Sequence, residues 1–217
     1  MPGKWLPILI LLTGLLYIFV IPEKSVLITI LFKIIPMLLI IYYAYLNKKI
    51  GKDKYSIILL IGLFFCMLGD TFIVISFVMG LIAFLIGHLF YIGGFLTRWT
   101  FSWLRFSTIV LITIYAFLMG NKLVSSLQMN DIAYLIIPVI LYICVISFMF
   151  WSANMTGNKF AIFGSTLFVI SDSVLAWNKF INDVPYSDEI IMVTYYLAQF
   201  FIASSILARE KERAKYT

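Results

Sequence analysis

The composition of this 217-residue chain is typical of an integral membrane protein. Hydrophobic residues make up 63% of the sequence and charged residues 12%, and the mean hydropathy is +1.06. A soluble domain would contain about 25% charged residues, so the composition excludes a soluble globular protein. The net charge of +6 is better explained by loops that face anionic lipid than by binding to nucleic acid.

Apolar runs of membrane-spanning length follow one another along the chain, and short polar segments separate them. The first run lacks a signal-peptide cleavage site and is interpreted as a helix of the mature protein. Residues 1–217 are predicted to form a single integral membrane domain, an all-α polytopic fold without a linker or a separate soluble domain. Its eight predicted transmembrane helices span about residues 5–21, 26–46, 56–76, 77–97, 105–121, 132–151, 158–177 and 189–208.

Basic residues are distributed unevenly between the connecting segments. With a cytoplasmic N-terminus, twelve lysines and arginines fall on the cytoplasmic side and three on the opposite side. Cytoplasmic loops carry an excess of Lys and Arg, so both termini are predicted to be cytoplasmic. The short loops and the composition indicate a bacterial inner membrane. The twelve are Lys4, Lys48, Lys49, Lys52, Lys54, Arg98, Arg105, Lys159, Arg209, Lys211, Arg213 and Lys215; the three are Lys24, Lys122 and Lys179.

The two halves of the sequence resemble each other at an offset of 102 residues. "KIIPMLL" at 33–39 aligns with "LIIPVIL" at 135–141, and "GLFFCMLGD" at 62–70 aligns with "GSTLFVISD" at 164–172. Nine extra loop residues then place "GHLF" at 87–90 on "AQFF" at 198–201. Each unit contains four helices, so both units enter the membrane in the same direction and form a parallel 4+4 repeat. Asp70 and Asp172 are equivalent in this repeat and should lie at the same depth.

These two aspartates are the main candidates for catalysis. A carboxyl group within a membrane is costly, and such residues are usually functional, although a neighbouring helix can also satisfy a buried acid. Two acids in one low-dielectric site cannot both ionise easily, so one should stay protonated and provide an acid beside a base. Lys33 is either part of this site or only neutralises one aspartate.

The other polar residues within the helices have both a functional and a structural interpretation. His88 either contacts substrate or packs in the core, where Tyr91 shares its face of the helix. Tyr195 and Gln199 are spaced i, i+4 and either bind substrate or form hydrogen bonds between helices. Glycines recur every seven residues and predict close helix packing, and the two cysteines show no metal-site spacing. These residues are Gly80, Gly87, Gly94, Cys66 and Cys144.

The residue inventory excludes several classes of intramembrane enzyme. A zinc hydrolase needs about three histidines, and the chain has only His88. The serine-protease motif, the G-x-G-D motif and a phosphate-binding loop are missing. Two alternatives remain open: a proton-coupled transporter, or a lipid-binding membrane protein that uses the same acids.

Several short motifs, in this order, resemble the YhhN-like lysoplasmalogenase family. They are "KIIPMLL", "LGDTF", "FLIGHLFYI", "FVISDSVLAWNKF" and "YYLAQFFIASS", and the resemblance covers nearly the whole chain. It implies an eight-helix membrane enzyme that hydrolyses the vinyl ether bond of lysoplasmalogens, giving a fatty aldehyde and glycerophospho-ethanolamine or -choline. The matching polar positions are Lys33, Asp70, His88, Tyr91, Asp172, Tyr195 and Gln199.

Paired carboxylates suit this reaction without a metal or another cofactor. Hydrolysis begins when an acid protonates the vinyl carbon beta to the ether oxygen, and water then captures the oxocarbenium ion. One carboxylic acid can donate that proton while a second carboxylate activates the water, as in glycoside cleavage. The expected partners are therefore a lysophospholipid substrate and membrane lipid. Asp70 and Asp172 are predicted to be catalytic; Lys33, His88, Tyr91, Tyr195 and Gln199 are predicted to bind substrate.

Overall fold

The helices of the computed structural model follow the apolar runs of the sequence. The structure describes residues 5–21, 25–47 and 53–213, with side chains up to residue 206, and this part of the chain contains no strand. The all-α class is therefore confirmed. The helices are α1 (Leu6–Val20), α2 (Val26–Leu46), α3 (Lys54–Ile75), α4 (Phe77–Leu96), α5 (Trp103–Phe106), α6 (Thr108–Met129), α7 (Ile136–Thr156), α8 (Lys159–Phe180) and α9 (Ser187–Arg213), with a 3-10 turn at Ala133–Leu135.

Seven segments of the described chain are long and apolar enough to cross a membrane. They are formed by α2, α3, α4, α5 with α6, the 3-10 turn with α7, α8, and α9. Helix α1 has only 15 residues, whereas a spanning helix needs about 17 or more. The chain is thus a multi-pass membrane protein, and the predicted count of eight spans remains a prediction.

The largest error in the predicted boundaries concerns α6. The predicted helix 105–121 was to end before the polar segment "NKLVSSLQMND", but α6 continues to Met129, and its first part is separated as α5. Leu123 and Leu127 are spaced i, i+4 and are completely buried against a cluster that includes Phe180. Ser126 also donates a hydrogen bond to the carbonyl oxygen of Phe180. Tertiary contacts therefore keep this polar segment helical.

The ends of α7 and α8 also lie later in the sequence than predicted. Helix α7 extends to Thr156 instead of residue 151, and α8 extends to Phe180 instead of residue 177. Gly157 ends α7 with a φ of 66°, a conformation that glycine adopts without strain. Asn158 then caps α8, because its side chain accepts hydrogen bonds from two backbone N–H groups of the first turn.

The most extensive helix packing joins α3 to α4 and α8 to α9. Both pairs use a glycine at the contact: a Cβ atom at Gly62 would lie 3.1 Å from the Gly87 carbonyl oxygen, and one at Gly164 would lie 2.9 Å from the Ala198 carbonyl oxygen. In the internal sequence comparison, Gly62 is aligned with Gly164, and Gly87 is aligned with Ala198. The 4+4 repeat itself remains a prediction.

The glycine stripe of α4 packs against α3, as the seven-residue spacing predicted. A Cβ atom at Gly80, Gly87 or Gly94 would lie closer to atoms of α3 than Cβ atoms in proteins normally lie to their neighbours. The nearest atoms would be Ile73 Cβ at 2.6 Å from Gly80, Cys66 Sγ at 2.7 Å from Gly87 and Leu59 Cδ2 at 2.9 Å from Gly94.

Basic residues gather at one end of the helix bundle. Arg98, after α4, forms an ion pair of 2.8 Å with Asp53, which precedes α3. Arg105 donates to the Thr100 hydroxyl over 2.8 Å at the same end. The connections at this end are therefore the ones predicted to be cytoplasmic. Of the residues used in that prediction, Lys4, Lys24, Lys48, Lys49, Lys52 and Lys215 lie outside the described residues.

Candidate active site

A cavity of about 420 Å³ lies near the opposite end of the bundle. The ends of α1, α3 and α8 and the beginnings of α2 and α9 meet there, and α4 contributes Phe84. The cavity brings together residues that are far apart in the sequence. Its charged lining consists of Lys33, Asp70, Asp172, Asp188 and Glu189, and Tyr195 adds a hydroxyl group.

Asp70 has two polar partners at the cavity wall. The Tyr195 hydroxyl donates to Asp70 Oδ2 over 2.7 Å, and Lys33 Nζ lies 3.7 Å from Asp70 Oδ1. The Asp70 side chain is only 2% exposed, so these partners compensate for its removal from water. Lys33 thus pairs with one aspartate, which was one of its two interpretations.

Asp172 lines the same cavity in a different environment. The Tyr142 hydroxyl of α7 donates a hydrogen bond to Asp172 Oδ2. Among the described side chains, no ion pair includes Asp172. The two predicted catalytic acids therefore share one cavity, and only Asp70 has a cation beside it.

His88, Tyr91 and Gln199 lie together behind the cavity, fully or almost fully buried. The Tyr91 hydroxyl donates to Gln199 Oε1 over 2.5 Å, and the His88 ring centroid is 4.5 Å from that of Phe168. The cavity lining does not include these three residues, and their role in substrate binding stays a prediction. Neither ring nitrogen of His88 has a hydrogen-bond partner among the described groups.

Sequence reasoning missed several residues of this site. Tyr142 occurs within the apolar run "VILYICV", where no spacing marks it as functional. Asp188 falls in the connection before the predicted helix 189–208 and Glu189 is the first residue of that helix, but neither was singled out as a site residue; both lie in the first turn of α9. Acidic residues are favourable at a helix N-terminus, which was the one available signal for placing them there.

The arrangement is chemically suited to proton transfer. It provides a half-buried carboxyl group with no counter-ion among the described side chains, a second carboxyl group with a counter-ion, and two tyrosine hydroxyl groups that orient them. Two carboxyl groups in different environments can take the roles of acid and base.

Comparison of the sequence with known proteins identifies the family of this chain. The sequence profile of the YhhN family matches residues 28–206. Lysoplasmalogenase TMEM86B of Mus musculus is 30% identical over 209 residues, which cover 94% of this chain and 87% of that protein. Lysoplasmalogenase TMEM86A of Homo sapiens is 34% identical over 166 residues, which cover 69% of this chain and 65% of that protein. No solved structure gives a significant match. The chain belongs to the YhhN family.

Proposed function

We propose that this protein hydrolyses the vinyl ether bond of lysoplasmalogens to a fatty aldehyde and glycerophospho-ethanolamine or -choline. The relatives named above are lysoplasmalogenases. The observation that carries the proposal is the cavity of about 420 Å³ that Asp70 and Asp172 both line. Its volume is in the range of small-molecule sites, about 300–1,000 Å³.

In the proposed reaction, a carboxylic acid protonates the vinyl carbon beta to the ether oxygen and leaves an oxocarbenium ion. Water adds to this cation and loses a proton to the second carboxylate, as in glycoside cleavage. The resulting hemiacetal collapses to the aldehyde and the free alcohol. The reaction consumes one water molecule and involves no change in oxidation state, so the two acids suffice without a metal or another cofactor.

The surroundings of the acids support an assignment of their roles. Lys33 and Tyr195 stabilise a negative charge on Asp70, which fits the carboxylate that activates water. Asp172 has no ion-pair partner among the described residues, which favours its neutral form in an apolar site. We therefore assign the proton donor to Asp172 and the base to Asp70.

The membrane arrangement belongs to the same proposal. With eight spans in a parallel 4+4 repeat and both termini in the cytoplasm, the cavity faces the non-cytoplasmic side of an inner membrane. A lysophospholipid of the outer leaflet then reaches the acids without crossing the bilayer. The substrate and membrane lipid are the only partners that this function requires.

A direct assay tests the function. Purified protein in nanodiscs is incubated with lysoplasmenyl-ethanolamine, and the expected product is free fatty aldehyde. Lysophosphatidylethanolamine, which has an ester bond instead of the vinyl ether, serves as the control and should stay intact. If folded protein releases no aldehyde from the vinyl ether substrate, the proposal is wrong.

The ion pair between Lys33 and Asp70 also suits a proton-coupled transporter, since buried ion pairs occur in proton relays. Liposomes that contain the protein distinguish the two functions. Proton-dependent uptake of a solute, while vinyl ether lipids stay intact, would favour the transporter over the hydrolase.

A further inference from the structure

An apolar groove of about 270 Å³ runs between α1 and α9. Helix α1 contributes one stripe of side chains from Pro7 to Ile18, and α9 contributes residues from Val193 to Phe200. No charged side chain occurs among the described residues that line it.

The groove adjoins the cavity that contains the two acids. Ile18 lines both spaces. On α9, the consecutive residues Tyr195 and Tyr196 line the cavity and the groove, respectively. The Tyr196 hydroxyl also donates to the Lys33 backbone carbonyl over 2.9 Å. One wall of the groove is thus attached to the helix that carries the counter-ion of Asp70.

We infer that the groove binds the hydrocarbon chain of the lipid whose vinyl ether lies between the two acids. The identity of that lipid rests on the proposed function. The stripe from Pro7 to Ile18 extends for about 16 Å along α1. An α-helix has a diameter of about 10–12 Å with its side chains, too wide for a groove of about 270 Å³. A single alkyl or alkenyl chain fits the shape and the apolar lining.

Two positions on α1 allow the groove to be shortened without a change in the cavity. A Cβ atom at Gly14 would lie 3.5 Å from the Tyr196 ring, which is an ordinary contact, so we expect the backbone to accept Gly14→Leu and the added side chain to extend into the groove. Leu11 lies about one turn further from the cavity and is 55% exposed, so Leu11→Trp blocks the distal part. Leu12→Trp is the matched control, because Leu12 is 57% exposed on the same helix and does not line the groove.

The experiment measures kcat/KM for lysoplasmenyl-ethanolamines with octenyl, dodecenyl and octadecenyl chains. A buried methylene changes binding about fourfold, so loss of two methylenes from the groove lowers kcat/KM about 10-fold or more. Gly14→Leu should show this loss for the longest chain and little change for the shortest. Leu11→Trp should affect only the longest chain, and Leu12→Trp should match the wild type at every length. Variant and wild type are compared in the same lipid mixture, which removes differences in partitioning.

A binding measurement separates this inference from the proposed hydrolysis. If the wild type releases no aldehyde, ester-linked lysophosphatidylethanolamines of the same chain lengths are titrated instead. A loss of affinity in Gly14→Leu that grows with chain length supports the groove, whether or not the protein is a hydrolase. An equal loss at all lengths, no loss, or the same pattern in Leu12→Trp would overturn the inference.

Discussion

Asp70 and Asp172 are aligned in the internal sequence comparison, but their surroundings differ in charge. Lys33 lies beside Asp70, whereas the residue aligned with Lys33 is Leu135, which is buried in an apolar cluster. Within the described part of the chain, a single pair of aligned positions therefore gives one acid a counter-ion and leaves the other without one. This difference is the reason to assign separate chemical roles to two residues that the sequence does not distinguish.

Replacement of either aspartate by asparagine is expected to reduce turnover strongly. Asp70→Asn and Asp172→Asn keep the shape of the side chain but can neither donate nor accept the proton of the reaction. Each should lower kcat at least about 100-fold, the usual contribution of general acid–base catalysis. Aldehyde release from lysoplasmenyl-ethanolamine measures the effect.

The control for these variants is Asp131→Asn, which changes an exposed aspartate in the turn after α6. It should keep wild-type turnover. Thermal unfolding shows whether the site variants are folded. A folded Asp70→Asn or Asp172→Asn protein with wild-type turnover would mean that this aspartate is structural and that the paired-acid mechanism is wrong.

Asp53, outside the spanning helices, provides a test of pH-dependent stability. Burial raises the pKa of this carboxyl group, whereas the hydrogen bond from Ser56 and the charge of Arg98 lower it. The lowering effects together exceed the effect of burial, so the pKa lies below its ordinary value. Since the folded-state pKa is depressed, ionised Asp53 stabilises the fold above the unfolded pKa of about 3.9, and this contribution is lost as the pH falls. The side chain is 38% exposed, so solvent screening limits the contribution to about 1 kcal/mol or less.

Asp53→Asn is therefore expected to lower Tm at neutral pH. The difference from the wild type should shrink when unfolding is measured at about pH 2, because the stabilisation is lost as the carboxyl group becomes protonated in the folded state as well. A difference of the same size at both pH values would show that the charge of Asp53 does not contribute.

At the scale of helices, the glycine contacts of α3–α4 and α8–α9 should limit what these helices tolerate. An alanine at Gly62 would bring Cβ to 2.5 Å from the Tyr91 ring, and one at Gly164 would bring it to 2.9 Å from a backbone oxygen. Overpacking of this kind costs about 1–3 kcal/mol. Gly62→Ala and Gly164→Ala should each lower Tm by about 2–4 °C per kcal/mol in thermal unfolding.

Gly120→Ala is the matched control within α6, because a Cβ atom at this position would meet no described atom within 4 Å apart from its own stretch of helix. Alanine has the higher helix propensity, so this variant should equal or exceed the wild type by up to about 1 kcal/mol. If all three variants unfold at the same temperature, the close contacts of Gly62 and Gly164 do not determine stability.

Helices could be predicted from the sequence where the apolar runs are continuous. The predicted helix boundaries were wrong where tertiary contacts determine the end of a helix. Leu123 and Leu127 extend α6 through a polar segment because residues of α7 and α8 cover them, and these contacts are invisible in the local pattern. The same distinction applies to the site. Asp70 and Asp172 stand out as acids in apolar runs, but Tyr142 is identified only by the packing of α7 against α8.

At the scale of the molecule, the distribution of basic residues predicts that both termini are cytoplasmic. We expect that Pro2→Cys and Tyr216→Cys, in a chain with Cys66 and Cys144 replaced, will not react with an impermeant maleimide added to intact cells. Asp183→Cys, in the exposed connection between α8 and α9 at the cavity end, should react. Labelling at position 216 would contradict the orientation, and labelling at position 2 alone would mean that α1 does not cross the membrane.

The shortness of α1 has a consequence for the surrounding bilayer. Its 15 residues extend for about 22 Å, whereas the hydrocarbon core of a typical bilayer is about 30 Å thick. In the proposed eight-span arrangement, α1 crosses the membrane and local thinning of the surrounding lipid relieves this hydrophobic mismatch. Because α1 also forms one wall of the apolar groove, the thinned annulus adjoins the groove directly. If the proposed function holds, the thickness of the host membrane is a physical variable of lipid capture, separate from the chemistry proposed for the two aspartates.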